Sequence, residues 1–194
     1  IASAMDSADL YFYGELSLQN IVPIMTSATQ PSGTVFASSN ESGYDAYHAF
    51  DGVNANSWQA SSGRVVGEYI RYTFTSAKKI IGITIYARNN STTGAPKTFK
   101  IQGSNDNFTT VGYESEVLTF TNAETQNANE TITFNSNGAY TSWRLLIVTG
   151  TRSDWVLIQE LQFLAYQPKG NVPIMTSDSA PYGTVNTSSV LGTN

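Results

Sequence analysis

Glu68-Tyr-Ile-Arg-Tyr-Thr-Phe-Thr75 places Ile70, Tyr72 and Phe74 on one side of an extended chain and Arg71 and Thr73 on the other. Strict alternation over this length is the mark of a half-buried β-strand, because successive side chains point to opposite faces of a sheet. The same period recurs outward from this stretch. Ile81, Ile83 and Ile85 alternate within Lys79–Tyr86, Phe99 and Ile101 within Thr98–Gly103, and Ile132 and Phe134 within Glu130–Phe134. Ser142–Val148 is apolar on both faces, with Leu145 and Ile147 on one and Leu146 and Val148 on the other, as expected of a strand central to its sheet. Turn-forming clusters separate these runs at Ala87–Pro96, Ser104–Asn107, Asn135–Gly138 and Gly150–Asp154. No stretch of about ten residues carries a helical apolar stripe. The pattern predicts an all-β jelly-roll sandwich.

Composition narrows the function classes. Charged residues make up 13% of the 194 and the net charge is −5. This argues against a nucleic-acid partner, which requires a basic face, and ranks membrane-lipid binding last among the candidate roles. No apolar run approaches the ~20 residues of a membrane-spanning helix. The chain has no cysteine and one histidine, His48. A cysteine-based nucleophile is therefore excluded, and His48 alone cannot build a zinc site. No Ser–His–Asp spacing signature is present, and the chain reads as non-catalytic. The lack of cysteine suits a bacterial surface or phage protein better than a small secreted animal domain.

Val22-Pro-Ile-Met-Thr-Ser27 recurs as Val172-Pro-Ile-Met-Thr-Ser177, and 12 of the 18 positions from Val22 to Ser39 are identical in Val172–Ser189. The offset of 150 residues is that of a domain repeat, not of a solenoid unit. Leu10–Leu18 and Trp155–Phe163 also share a Glu-Leu after an apolar run. This predicts one complete module at 21–167. Residues 1–20 are expected to be the C-terminal strand of a preceding module or a flanking segment, and 168–194 a linker and the start of a second copy. Gln167-Pro-Lys-Gly170 marks that joint.

Four segments, in order, resemble the discoidin-like (coagulation factor 5/8 type C) family. They are Ala46-Tyr-His-Ala-Phe-Asp-Gly52 with Asn56-Ser-Trp58; Glu68–Phe74 with Ile80–Arg88; Pro96–Asp106; and Trp143-Arg-Leu-Leu-Ile147 with Ile158-Gln-Glu-Leu-Gln-Phe163. The resemblance implies a jelly roll with neighbouring termini, and the missing cysteine pair brings the chain nearer to bacterial and phage carbohydrate-binding modules than to animal members. It also implies a structural Ca²⁺ held by the His48 carbonyl, the Asp51 side chain, the Val53 carbonyl, Asn56, the Gln159 carbonyl and the Glu160 side chain. Asn56 stands where the family usually has threonine. A glycine-containing loop opened by an aspartate, rich in oxygen donors, suits a hard cation. An ion-free reading also stands, in which Asp51 opens an Asx-turn and Glu160 caps the sheet.

A sugar site needs an aromatic platform with charged or amide groups beside it. Arg88 and Asn89 follow one strand. Arg152, Asp154 and Trp155 lie between the last two, about 60 residues further on. If folding brings them together, the module binds a cell-surface polysaccharide or glycoconjugate as an extracellular adhesion unit in a tandem array. The alternatives are Trp155 as a core residue, Arg88 as an ion-pair partner or an exposed strand end, and the whole module as a spacer or assembly unit of a phage tail fibre or surface filament, with neighbouring copies as its partners.

Overall fold

The computed structural model describes residues 16–88 and 94–168. Asn89, the second copy of the repeat at 172–189 and residues 1–15 lie outside them. Thirteen elements follow one another: β1 (Leu16–Asn20), β2 (Thr34–Ala37), a 3-10 turn (Ala46–Phe50), β3 (Trp58–Gln59), β4 (Tyr69–Lys78), β5 (Gly82–Tyr86), β6 (Pro96–Ser104), β7 (Tyr113–Glu114), β8 (Leu118–Thr119), β9 (Asn129–Thr133), β10 (Tyr140–Gly150), β11 (Leu157–Ile158) and β12 (Glu160–Pro168). The 3-10 turn is the longest helical piece among the described residues. The chain divides into two compact units. Leu18–Ala165 form the larger; the smaller comprises Ile1–Ser17 and Tyr166–Asn194, of which only 16–17 and 166–168 are described.

The larger sheet runs β2-β4-β10-β6-β7, with β8 also paired to β6; the smaller runs β1-β12-β5-β9; β3 and β11 form a two-stranded ribbon. β10 lies at the centre of the larger sheet, antiparallel to β4 on one side and β6 on the other. Its alternation fixes both faces. Trp143, Leu145 and Ile147 are buried, together with Ile70, Tyr72 and Phe74 from β4 and Phe99 and Ile101 from β6. The smaller sheet answers with Ile83, Ile85, Leu161 and Phe163. Phe50, from the 3-10 turn, lies 6.3 Å from the Phe163 ring and 5.8 Å from that of Tyr72, and so joins the two inner faces. Each such side chain contributes roughly 1.5–3 kcal/mol on burial.

The sandwich is thus the all-β fold that the alternation predicts. One segment reads differently in three dimensions. The polar stretch 113–130 has the composition of a solvated loop or sheet edge; it supplies β7 at the edge of the sheet and β8, and it also buries Phe120 and Ala123 in the core. The Phe120 N–H bonds to the Lys97 carbonyl at 3.0 Å, which pins the segment beside the start of β6. Two of the three tryptophans are fully buried and satisfied. Trp58 Nε1 donates to the Ser39 carbonyl (2.9 Å) and to Asn40 Oδ1 (3.0 Å); Trp143 Nε1 donates to the carbonyls of Lys78 (2.9 Å) and Tyr140 (3.2 Å).

Because Phe120 is a core side chain and not a loop ornament, Phe120→Ala is expected to cost about 3–5 kcal/mol. Urea denaturation checks this: a loss under about 0.5 kcal/mol, the range of surface substitutions, would return 113–130 to the solvent.

Candidate functional site

The Asp51 loop is built from the end of the 3-10 turn. Asp51 closes that turn, and Gly52 follows with φ at +69°, a left-handed conformation that glycine adopts without strain. The reversal folds the chain back over the carboxylate. Asp51 Oδ1 accepts the Val53 N–H at 2.8 Å, while Oδ2 accepts from Asn56 Nδ2 at 2.7 Å and meets His48 Nδ1 at 2.9 Å. The Val53 carbonyl accepts the Asn56 N–H at 2.9 Å and keeps a second lone pair. Asn56 braces the carboxylate through its amide nitrogen, and a half-turn of that amide presents its oxygen instead. His48 is half-buried, as expected of a side chain just before Phe50, and its imidazole meets and orients Asp51, a contact that the sequence did not show.

Glu160 opens β12 opposite Tyr86 of β5, with the Gln159 N–H bonded to the Tyr86 carbonyl at 3.2 Å. Its carboxyl comes within hydrogen-bonding reach of Asp51 and of the Gly52 and Val53 amides. Burial, then the Asp51 charge, push its pKa up from 4.5 to about 8. Glu160 Oε1 and Gln159 Oε1 are buried without a hydrogen-bond partner. Two buried carboxyls side by side, one with an orphaned oxygen, form an environment that a bound cation would relieve. Among the described residues no group of three His, Cys, Asp or Glu side chains is arranged to hold a metal ion by itself. The donors on offer are thus two carboxylates, backbone carbonyls and amide oxygens, which fits a hard, oxygen-seeking cation and not zinc.

The second set of residues gathers at one end of the sandwich. β5 ends at Tyr86 beside the start of β12, β6 starts at Pro96 beside the end of β10, and the 151–159 segment links those two strands. Arg88, half-buried two residues beyond β5, therefore lies at the same end as Arg152, Asp154 and Trp155. Backbone bonds tie the loops there. Thr151 N–H reaches the Ala95 carbonyl (2.9 Å), Leu157 N–H the Gly94 carbonyl (2.8 Å) and Gly63 N–H the Asp154 carbonyl (2.6 Å). Trp155 is half-buried, not a closed core residue, and its indole rests on Gly94. Any side chain at position 94 would collide with that ring, and φ there is +58°. Arg152 grips Asp154 with two bonds of 2.8 Å, and its guanidinium carbon sits 4.9 Å from the Trp155 ring centre. Gly150–Asp154 line an open cleft of about 630 Å³. The 61–64 segment escaped the sequence reading because its part is played by backbone, and Gly94 because a glycine in a turn does not reveal which ring will lie on it.

The F5/8 type C domain profile matches residues 34–161. The chain belongs to that family. No curated protein sequence matches this F5/8 type C domain. Among solved structures, it is similar to the family 32 carbohydrate-binding module of Clostridium perfringens NanJ in complex with galactose. Identity there is 21%, the TM-score is 0.57, and 71% of this chain and 97% of that one are covered. Chitosan-binding module 1 of the Paenibacillus sp. IK-5 chitosanase/glucanase is 18% identical, with a TM-score of 0.56 and coverage of 76% and 98%. The family 32 module of AlyQ in complex with 4,5-unsaturated mannuronic acid is 23% identical, with a TM-score of 0.54 and coverage of 67% and 92%. These likenesses establish the shared sandwich.

The raised Glu160 pKa has a defined sign. Without a cation, folding favours the protonated acid, so that the contribution of Glu160 to stability is full below 4.5 and is lost as pH rises towards about 8. In a chelator, the urea midpoint is expected to fall across that window, and Glu160→Gln should flatten the fall. An unchanged slope in that variant would place the titration elsewhere.

Proposed function

We propose that this F5/8 type C domain is a non-catalytic, extracellular carbohydrate-binding module, with its sugar site at the Arg88/Arg152–Trp155 end and a structural Ca²⁺ at Asp51 and Glu160. The observation that carries the reading is the half-exposed indole of Trp155, mounted on Gly94 beside an open cleft and next to a fixed Arg152–Asp154 pair. An indole supplies the apolar surface for a pyranose. Beside it, a guanidinium donates to sugar hydroxyls and a carboxylate accepts from them. Arg152 already covers part of the indole, so the sugar meets Trp155 at its uncovered portion while hydrogen-bonding the pair. Arg88 extends the polar rim, whereas Asn89, also expected from the sequence to contact the sugar, lies outside the described residues. Galactose, an unsaturated mannuronic acid and chitosan feature in the names of the structurally similar modules, which supports a saccharide as the ligand class here.

The non-catalytic reading is supported by the position of the paired carboxyls. Asp51 and Glu160 are 8% and 7% exposed, so that pair offers no open acid and base to a glycosidic bond. The ion would be held by Asp51 and Glu160, with the His48, Val53 and Gln159 carbonyls and Asn56 completing the shell. Its role is to neutralise the buried pair and fasten the loop to β12. Copies strung at the 150-residue repeat of a bacterial surface or phage tail protein raise avidity without new contacts, which gives the repeat a purpose.

Calcium at a hundredfold excess over Kd is expected to stabilise the fold by about 2.7 kcal/mol. Thermal melts with and without EDTA check this, and Asp51→Ala should abolish the difference; a wild-type Tm indifferent to calcium refutes the ion. On a glycan array, wild-type protein should retain a cell-surface glycan that Trp155→Ala, melting at the same temperature, does not. Equal retention by both moves the sugar away from this end.

A further inference from the structure

The outer face of the larger sheet carries a feature that neither the cation loop nor the Trp155 end uses. Strand register sets Phe36 of β2 opposite Arg71 of β4, Arg71 opposite Arg144 of β10, Arg144 opposite Gln102 of β6, and Gln102 opposite Glu114 of β7. All five belong to one row across five strands. Arg71 and Arg144 are therefore direct cross-strand neighbours, a placement of like charges that is unfavourable unless something else compensates it. Among the described residues no carboxylate forms an ion pair with either, and Glu114 acts on Arg144 only through space. Glu114, the acid in the row, is held by Lys100 and by Gln102 Nε2.

The two guanidiniums are fixed by neutral groups instead. Arg144 Nε donates to Gln102 Oε1 at 2.6 Å, and its guanidinium carbon lies 4.8 Å from the Tyr69 ring centre and 4.1 Å from that of Phe108. Arg71 donates Nη1 to Asn107 Oδ1 and sits 4.9 Å from the Phe36 ring centre, while its Nε is buried without an acceptor. Asn107 and Phe108 both adopt left-handed backbone, with φ of +61° and +65°. For a bulky aromatic this is a strained conformation that surrounding contacts must impose. Here Ser104 Oγ accepts the Phe108 N–H at 2.9 Å, and the outcome is one side chain of the loop on each arginine. The array seats two neighbouring cations over aromatic rings, with donor edges that no carboxylate among the described residues takes.

We infer that this row is a second saccharide subsite, distinct from the Trp155 end, which takes the carboxylate of a uronic acid. A planar carboxylate matches the guanidinium fork. It would cancel the repulsion between Arg71 and Arg144, and its sugar ring would lie towards Phe36, which is 47% exposed at the sheet edge. Beyond Phe36 a groove of about 390 Å³ includes Tyr47, Asn40 and Asp45. The Asp45 carboxylate there confines the acid group to the arginine side and leaves the groove to neutral sugar. A net charge of −5 likewise favours a short uronate stretch over a dense polyanion such as nucleic acid.

This inference rests on the carbohydrate-binding reading but not on the Trp155 site, and one set of titrations separates them. The full chain is titrated by calorimetry with tri-galacturonate, its methyl ester and a sulfated trisaccharide. Tri-galacturonate should bind, weakening with salt; the methyl ester, which lacks only the charge, should bind at least about tenfold more weakly. Arg71→Gln and Phe36→Ala, each checked for an unchanged melting temperature, should reduce uronate affinity while leaving neutral-glycan retention on the array intact. Uronate binding that survives both variants, equal binding of the methyl ester, or arginine-dependent binding of the sulfated sugar alone overturns the proposal. Retention of neutral glycans without any uronate binding refutes this subsite only; the absence of both refutes the carbohydrate reading as well.

Discussion

The register of β10 is the constraint on which the rest depends. Bonded to β4 on one side and β6 on the other, it sends Trp143, Leu145 and Ile147 into the core and Arg144 and Leu146 to the outer face. A slip of one residue would exchange the two sets at once. It would bury a guanidinium and expose an indole, and it would also shift the end of the strand at Gly150, from which the Arg152–Trp155 loop departs. Core, outer face and terminal loop are set by the same hydrogen-bond ladder.

The sandwich was legible because its signal is periodic. Ile70, Tyr72 and Phe74, or Leu145 and Ile147, announce an inner face without reference to any partner. Segment 113–130 was not, because two short strands of two residues each carry no period, and one phenylalanine amid polar residues cannot show that it plugs a core. The meeting of Asp51 and Glu160 was expected only through the family resemblance, and folding alone shows that the His48 ring braces the carboxylate. The Arg71–Arg144 row was hidden for another reason. Cross-strand neighbours lie 73 positions apart in the sequence, and nothing local in either strand records the other.

The Asp51 loop and the loop end are linked through one short stretch. Trp155 and Glu160 are five residues apart, with β11 between them paired to β3, whose Trp58 is fully buried. The proposed ion, by fastening Glu160 to the Asp51 loop, would stiffen the chain that leads back to Trp155. On that proposal an ion that touches no sugar would still influence its binding through the strand next to the Trp155 loop.

The unequal burial of the three tryptophans also has an optical consequence. Trp58 and Trp143 are sealed from solvent, each with its indole N–H bonded to a carbonyl, whereas Trp155 is partly open and lies beside a guanidinium. Sealed indoles are expected to emit at shorter wavelength than the open one, so that a change confined to the long-wavelength side of the emission would report the loop end without a label.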